Sequence, residues 1–341
     1  MNEKAPTLRA LAEKLNIHVS TVSRVLQGDD TKAAKAASRD TIEKIRALAK
    51  ASGYTHNPHA ISLRTRQSHL VGVSVPQLSD IIWATVYEAI EETASSGNYQ
   101  TYVLNSHDDP AIQTSQLSLH QARRVDGLIL GDARVTPEYL HYLRDITVPF
   151  VLALRTVGDF PCVVCDDYAG GRLAALHLLE RGHRDAGVLA GLSYALNCID
   201  RTRGFTETFR EAGFPIPENR IVWGAPDTEG GRDAARRLLA EHPGLTAMYV
   251  VNDFAAIGAM GAMREAGHTP GASMALIGYN DTPLASVLPI PLTTLRNPLR
   301  ELGKKTMRLL LNILRGEPGE RIMLQPELVV RESSGCTDHG M

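Results

Sequence analysis

The sequence predicts a two-part chain: an all-α head, joined by a short hinge segment to a larger α/β body in two lobes. Three observations predict it. Up to Gly53 the apolar residues recur at helical spacing, without a run of strand type. From Ser68 onward, short apolar runs alternate with amphipathic helical stretches, the order of a parallel-sheet α/β fold. The charge divides at the same place. Residues 1–66 hold 12 Lys and Arg against 6 Asp and Glu, and the remainder 24 against 32. A basic head (+6) on an acidic body (−8) suits a nucleic-acid-binding element on a carrier.

The head reads as short helices. Thr7 can cap the first, running to about Lys14, with Leu8, Leu11, Ala12 and Leu15 on one face. Asn16-Ile17-His18 breaks it, since Asn tolerates the left-handed turn conformation. A second helix, from about Val19 to Leu26, buries Val22, Val25 and Leu26 and ends at Gly28. Residues 29–37, rich in Ala and Lys without an apolar anchor, read as a loop. A last helix, capped by Ser38, carries Ile42, Ile45 and Ala49 and stops at Gly53.

The body carries eight apolar runs that read as strands: Leu70–Val75, Tyr99–Leu104, Gly127–Leu130, Phe150–Leu154, Val163–Cys165, Gly187–Ala190, Ala247–Val251 and Ala275–Ile277. Eight exceed one comfortable sheet, so two lobes are expected. Ligands of open α/β sheets sit beyond the carboxyl ends of the strands, so a site belongs in the cleft between the lobes. Of the four cysteines (Cys162, Cys165, Cys198 and Cys336), the Cys162-Val-Val-Cys165 spacing invites a metal reading. Within a strand those two point to opposite faces, and no second Cys/His pair stands nearby, so no metal is expected. No segment approaches the ~20 apolar residues of a membrane span, and Met1–Ala10 lacks an apolar signal core. A cytoplasmic protein is expected. No nucleophile elbow, phosphate-binding loop or metal motif points to an enzyme, and no cofactor is expected.

The segment from Thr7 to Leu26 fits a helix-turn-helix. The second helix buries an aliphatic face and turns Val19, Ser20, Ser23 and Arg24 outward. Ser20, Thr21 and Ser23 can donate to phosphates, and Arg24 can pair with both acceptors of a guanine. The run Val19-Ser-Thr-Val-Ser-Arg-Val-Leu26 closely resembles the start of the lactose-repressor (LacI/GalR) family. Gly53-Tyr54, Asn57 and Ser62-Leu-Arg-Thr65 resemble it too. The resemblance extends through Arg124-Val-Asp-Gly-Leu-Ile129, Asp166-Asp-Tyr-Ala-Gly-Gly-Arg172, Arg181-Gly-His183 and Arg201-Thr-Arg-Gly-Phe205. It continues in Asn252-Asp253, Gly278-Tyr-Asn-Asp281, Leu292-Thr-Thr294 and Glu301-Leu-Gly303.

The resemblance implies a DNA-binding head (1–55), a hinge helix and linker (56–67) and a core resembling periplasmic sugar-binding proteins (68–335), then a tail (336–341). It places the first lobe at about 68–164 and 295–322 and the second at about 165–291 and 323–335. It implies a homodimer on double-stranded operator DNA, contacted by Thr7, His18, Val19, Ser20, Thr21, Ser23, Arg24, Asn57, Leu63 and Arg64. Val19 and Ser20 are the variable base readers. Leu63 matches a leucine that wedges into the minor groove and kinks the duplex. A small-molecule effector, a sugar or sugar acid, would meet Asp80, Trp83, Arg155, Asn197, Arg201, Asn252, Asp253 and Asn280. Amide, carboxylate and guanidinium groups suit adjacent hydroxyls, and Trp83 can cover an apolar ring face. For Asn252 and Asp253, capping the next helix competes with ligand contact.

Several residues depart from the family pattern. His18 replaces a capping serine, a poorer cap. The loop after Gly28 is about five residues longer. Ile61 replaces a polar hinge residue. Asn280 stands where Asp is usual, which removes a negative charge from a cleft that retains Arg155 and Arg201 and tilts the expected ligand toward an acidic or less hydroxylated one. The expectation is a repressor released by its effector. The alternatives are a regulator that needs its ligand as corepressor, or a ligand-binding protein without a DNA role.

Overall fold

The computed structural model describes residues 7–27, 30–54 and 67–335. Asn57, Ile61, Leu63, Arg64 and the tail lie outside the described residues. The chain divides into two compact units, 1–68 and 69–341. Among the described residues no helix is long and apolar enough to cross a membrane.

Among its described residues the head holds four helices: α1 (Leu8–Leu15), α2 (Val19–Gln27), α3 (Asp30–Ala36) and α4 (Arg39–Ala51). The Thr7 side chain accepts from the Ala10 N–H and starts α1, and Asn16 ends it at φ 53°. Ser38 caps α4 through the Thr41 N–H. Leu11, Val22, Val25, Ala33 and Ile45 form a closed core. The segment expected as a loop after Gly28 is instead α3. Ala and Lys are strong helix formers, and Ala33, buried against the other helices, is the small anchor the periodicity overlooks. Asp30 at its start also pairs with Arg46 of α4 at 2.7 Å.

The body has two six-stranded sheets. Its elements are β1 (Leu70–Val75), α5 (Ile81–Ser96), β2 (Gln100–Asn105), α6 (Pro110–Ala122), β3 (Gly127–Leu130), α7 (Pro137–Arg144), β4 (Phe150–Ala153) and β5 (Cys162–Cys165). Then come α8 (Asp167–Glu180), β6 (Ala186–Gly191), α9 (Leu196–Glu211), β7 (Ile221–Trp223), α10 (Thr228–Glu241), β8 (Ala247–Val250), α11 (Asp253–Glu265) and β9 (Ala275–Asn280). The last are β10 (Thr293–Arg296), α12 (Leu299–Leu314), β11 (Arg321–Leu324) and β12 (Glu327–Val329). The first sheet runs β11-β5-β4-β3-β1-β2, all parallel. The second runs β12-β10-β9-β8-β6-β7, with only β12 antiparallel.

The chain crosses between the sheets three times: after β5, between β10 and α12, and between β11 and β12. The second crossing therefore falls after Arg296 rather than before Leu295, and the third after Leu324 rather than before Met323. All eight expected strands are present. The four unread ones carry weak signals: Ile221–Trp223 has three residues, and β10, β11 and β12 mix charge or threonine into short runs. Cys162 and Cys165 do lie in one strand. Cys162 packs in a first-lobe core cluster, and Cys165 faces the Tyr279 hydroxyl.

Candidate functional site

In the head, α2 presents Val19, 39% exposed, and the exposed Arg24, while Val22 and Val25 close the core behind them. Ser20, Thr21 and Ser23 are half-buried. His18 is a better cap than its type suggests. Its Nδ1 accepts from the Ser20 N–H at 3.3 Å, and the Ser20 hydroxyl lies 2.7 Å from the same nitrogen. The His18 carbonyl accepts from the Thr21 N–H at 2.9 Å. The ring thus satisfies one of the free donors that open a helix, a task usually left to a small side chain. Thr7 spends its hydroxyl on the α1 cap.

In the body, seven of the eight effector candidates meet in one cleft between the lobes: Asp80, Trp83 and Arg155 from the first, and Asn197, Arg201, Asn252 and Asn280 from the second. They follow strand ends or open the helices after them, as the strand-end rule requires. The cavity is narrow, about 60 Å³. The outer edge of the Trp83 indole packs against Gly131. A Cβ there would stand 2.1 Å from the ring's Cη2, so only glycine admits the indole.

Asp80 caps α5 through the Ile82 N–H at 3.0 Å. Burial pushes its carboxyl above the usual range, against the pull of that N–H and of Arg155. Its second oxygen has no donor among the described residues. Asn197 faces the cleft with its Oδ1 buried and unpartnered. Asn252 uses its oxygen to cap α11 through the Phe254 N–H.

Asp253 does not belong to this cleft. It is fully buried behind it, accepting from the Thr282 N–H at 2.7 Å and the Thr294 hydroxyl at 2.6 Å. At the first position of α11 its side chain turns back toward β9 and β10, which makes it a brace for the Gly278–Thr282 turn.

The two cleft arginines are not free cations. Arg155 makes a two-pronged contact with Asp108, at 2.7 and 3.2 Å. Arg201 donates to Asp167 at 2.7 Å and to the Val251 carbonyl at 2.8 Å, and its guanidinium lies 3.6 Å over the Tyr279 ring. The reason is local. Gly171 and Gly204 let α8 and α9 touch backbone to backbone, since a Cβ on either would lie about 2 Å from a carbonyl oxygen of the other helix. Asp167 is thereby held beside Arg201. The tilt toward an acidic or less hydroxylated ligand counted Arg155 and Arg201 as cations retained in the cleft, and each is paired with a carboxylate.

Sequence reading missed three residues here. Asp108 follows β2 as Asp80 follows β1, a signal that was available. Arg134 and Tyr194 carried none. They clasp the lobes together: the Val135 N–H of the first lobe donates to the Tyr194 carbonyl of the second at 2.9 Å, and the Arg134 guanidinium lies 3.6 Å over the Tyr194 ring. Arg134 also donates to the Asp108 carbonyl, which ties the clasp to Arg155. A half-exposed cation–aromatic contact contributes about 0.5–1 kcal/mol. Arg134→Ala is therefore expected to speed ligand exchange a few-fold with little change in melting temperature. Stopped-flow fluorescence of Trp83 measures it, and an unchanged exchange rate removes the clasp.

Residues 68–332 match the model described as periplasmic binding proteins and sugar binding domain of the LacI family. The chain belongs to the LacI family. Its LacI-family relatives include the HTH-type transcriptional regulator DegA of Bacillus subtilis (strain 168), 29% identical over 96% of this chain and 98% of that protein. The HTH-type transcriptional repressor PurR of Pectobacterium carotovorum is 29% identical over 96% of each. Among solved structures, the Lac repressor dimer bound to operator and the anti-inducer ONPF superposes with a TM-score of 0.88. It is 27% identical, over 98% of this chain and 100% of that one. A complex of the transcriptional regulator CelR with cellobiose superposes at 0.73, with 26% identity over 96% and 99%. This LacI-family chain is a DNA-binding transcriptional regulator and not an enzyme.

Proposed function

We propose that the chain is a cytoplasmic homodimeric repressor that holds a palindromic operator through α2 and releases it when a small, sugar-like metabolite occupies the cleft. The observation that carries this reading is the convergence of seven polar or aromatic side chains from both lobes on one cleft, in a chain that opens with a basic helix-turn-helix. A ligand that prefers the closed lobes shifts the body between two states, and operator affinity follows by linkage. Leu284, 44% exposed, and Val287, 73% exposed, offer the second lobe an apolar surface suited to a second copy. Val19 and Ser20 stand at the first turn of α2, where side chains meet base edges.

Selection of bound sequences from a random pool, using wild type and a Val19/Ser20 double swap, tests the DNA half. Each reassigned base contact is worth roughly 1–3 kcal/mol, so the preferred half-site should change at one or two positions. An identical half-site for both proteins would retire the assignment. Sedimentation of the complex should give two chains per site, and a one-to-one complex on an asymmetric site would contradict the dimer. Mobility shift with the identified metabolite then reports release or tightening.

A further inference from the structure

We propose that the second lobe carries a separate site for a phosphoryl group, free or on a small metabolite, at the end of its sheet away from the cleft. The cleft lies beyond the carboxyl ends of the strands, at Val251 and Asn280. A larger cavity, about 740 Å³, opens at the amino ends of β6, β8 and β9. Its lining includes Arg181, His183 and Arg184 from the loop between α8 and β6. Unlike the cleft arginines, these two pair with no carboxylate among the described residues. Arg181 donates through Nε to the Gly335 carbonyl at 3.3 Å and through one terminal nitrogen to Nδ1 of His177 at 3.0 Å. Arg184 donates through one terminal nitrogen to the Leu179 and His183 carbonyls, at 2.8 and 2.9 Å, and its guanidinium lies 4.7 Å over the Phe214 ring. Each guanidinium keeps a second terminal nitrogen without a partner among the described residues.

Three basic groups around one cavity repel each other. Burial lowers the pKa of His183, and the charges of Arg181 and Arg184 lower it further. An anion between them removes that repulsion. The lining has two acids. Asp185 is paired with Arg220 at 3.0 Å, and Glu180 is exposed at the rim. The Thr246 hydroxyl donates to the Asp185 carbonyl at 3.1 Å, so Nδ1 of His183, 3.1 Å from that hydroxyl, is the donor to it. Nε2 of His183 is then left to take up a proton as an anion arrives. Two arginine forks and an imidazole offer donors to at least three oxygens. A carboxylate has two, and a phosphoryl group has three strong acceptors that match the guanidinium fork. The cavity also exceeds the size of one phosphate, which leaves room for the remainder of a phosphate ester.

The test is calorimetric titration of the full chain in chloride buffer at constant ionic strength. The probes are inorganic phosphate, glycerol 3-phosphate and ribose 5-phosphate, with glycerol and ribose as their uncharged counterparts. Histidine-labelled protein gives a local reading by nuclear magnetic resonance, with His183→Gln assigning the signal. At least one phosphate-bearing probe should saturate and move the His183 signal, and glycerol and ribose should leave that signal in place. Arg184→Gln should weaken the binding about tenfold. Glu180→Gln, which removes the unpaired acid at the rim, should tighten it several-fold. A folding defect cannot produce changes of opposite sign. Esters that bind more tightly than inorganic phosphate assign the site to a phosphorylated metabolite, and the reverse order assigns it to free phosphate. The proposal is overturned if no phosphate-bearing probe saturates, if the His183 signal stays fixed, or if neither variant changes the affinity.

Discussion

Replacing Arg201 by alanine is expected to destabilise the body by about 3–5 kcal/mol, because it strands Asp167 as a buried carboxylate without its partner. The Arg201 side chain is 4% exposed and that of Asp167 6%, so water cannot take over the lost contact. The guanidinium also leaves the Val251 carbonyl and the face of Tyr279 unpaired. Ligand response should vanish as well, but that loss means little in a protein that is partly unfolded. A double variant separates the two effects. Arg201→Met with Asp167→Leu removes both charges at similar volume and should recover most of the stability, since apolar replacements of buried ion pairs are often neutral or better. Urea unfolding of the three proteins gives the comparison. A single-variant loss below about 1 kcal/mol would mean that the pair is solvated and contributes little. Calorimetric titration of the folded double variant then asks whether the arginine also grips the ligand. Affinity close to wild type would make Arg201 a structural brace alone.

The residues of the cleft were legible in the sequence, and their couplings were not. Asp80, Trp83, Asn197 and Asn280 were placed by the resemblance to the LacI family, and the convergence of strand ends in an α/β fold explains why they meet. Arg155 and Arg201 were found in the same way. Their carboxylate partners were not foreseen, since Asp108 lies 47 residues from Arg155 and Asp167 lies 34 from Arg201. No local pattern announces such a pair. The Gly-Gly of Ala169-Gly-Gly-Arg172 was a visible hint of close helix packing, but the partner backbone it admits was not. Asp253 erred in the opposite direction. It sits beside a true cleft residue, Asn252, and helix geometry sends the two side chains to different places. In the head, α3 was lost because alanine is both a helix former and a modest core residue, so one buried Ala33 leaves no amphipathic signature. The clasp between Arg134 and Tyr194 involves two loops, where neither periodicity nor propensity gives any reading.

Asp253 is expected to make the stability of the second lobe fall as pH rises from about 4 to 6. Burial raises its pKa from 3.8 to about 6, against the hydroxyl of Thr294 and the N–H and hydroxyl of Thr282, which pull it down, while Asp281 nearby adds to the rise. The folded state then binds this proton more tightly than the unfolded chain does. Stabilisation is full below the unfolded value, declines as pH climbs through the window, and is gone above the folded value. The raised pKa corresponds to about 3 kcal/mol lost between the two limits. Two buried histidines act in the opposite sense across an overlapping range. Burial lowers both His120 and His177 to about 4, so their contribution is present above 6.5 and lost on acidification. The wild-type profile alone is therefore a compromise, and the informative quantity is its difference from Asp253→Asn. The amide can keep both contacts, accepting from the Thr282 N–H and donating to the Thr294 hydroxyl, and Gly278 leaves room beneath it. The variant should be more stable than wild type at pH 7, and the gap should close toward pH 4. Denaturant unfolding at a series of pH values measures that gap. A gap independent of pH would show that Asp253 ionises in the fold as freely as in the unfolded chain.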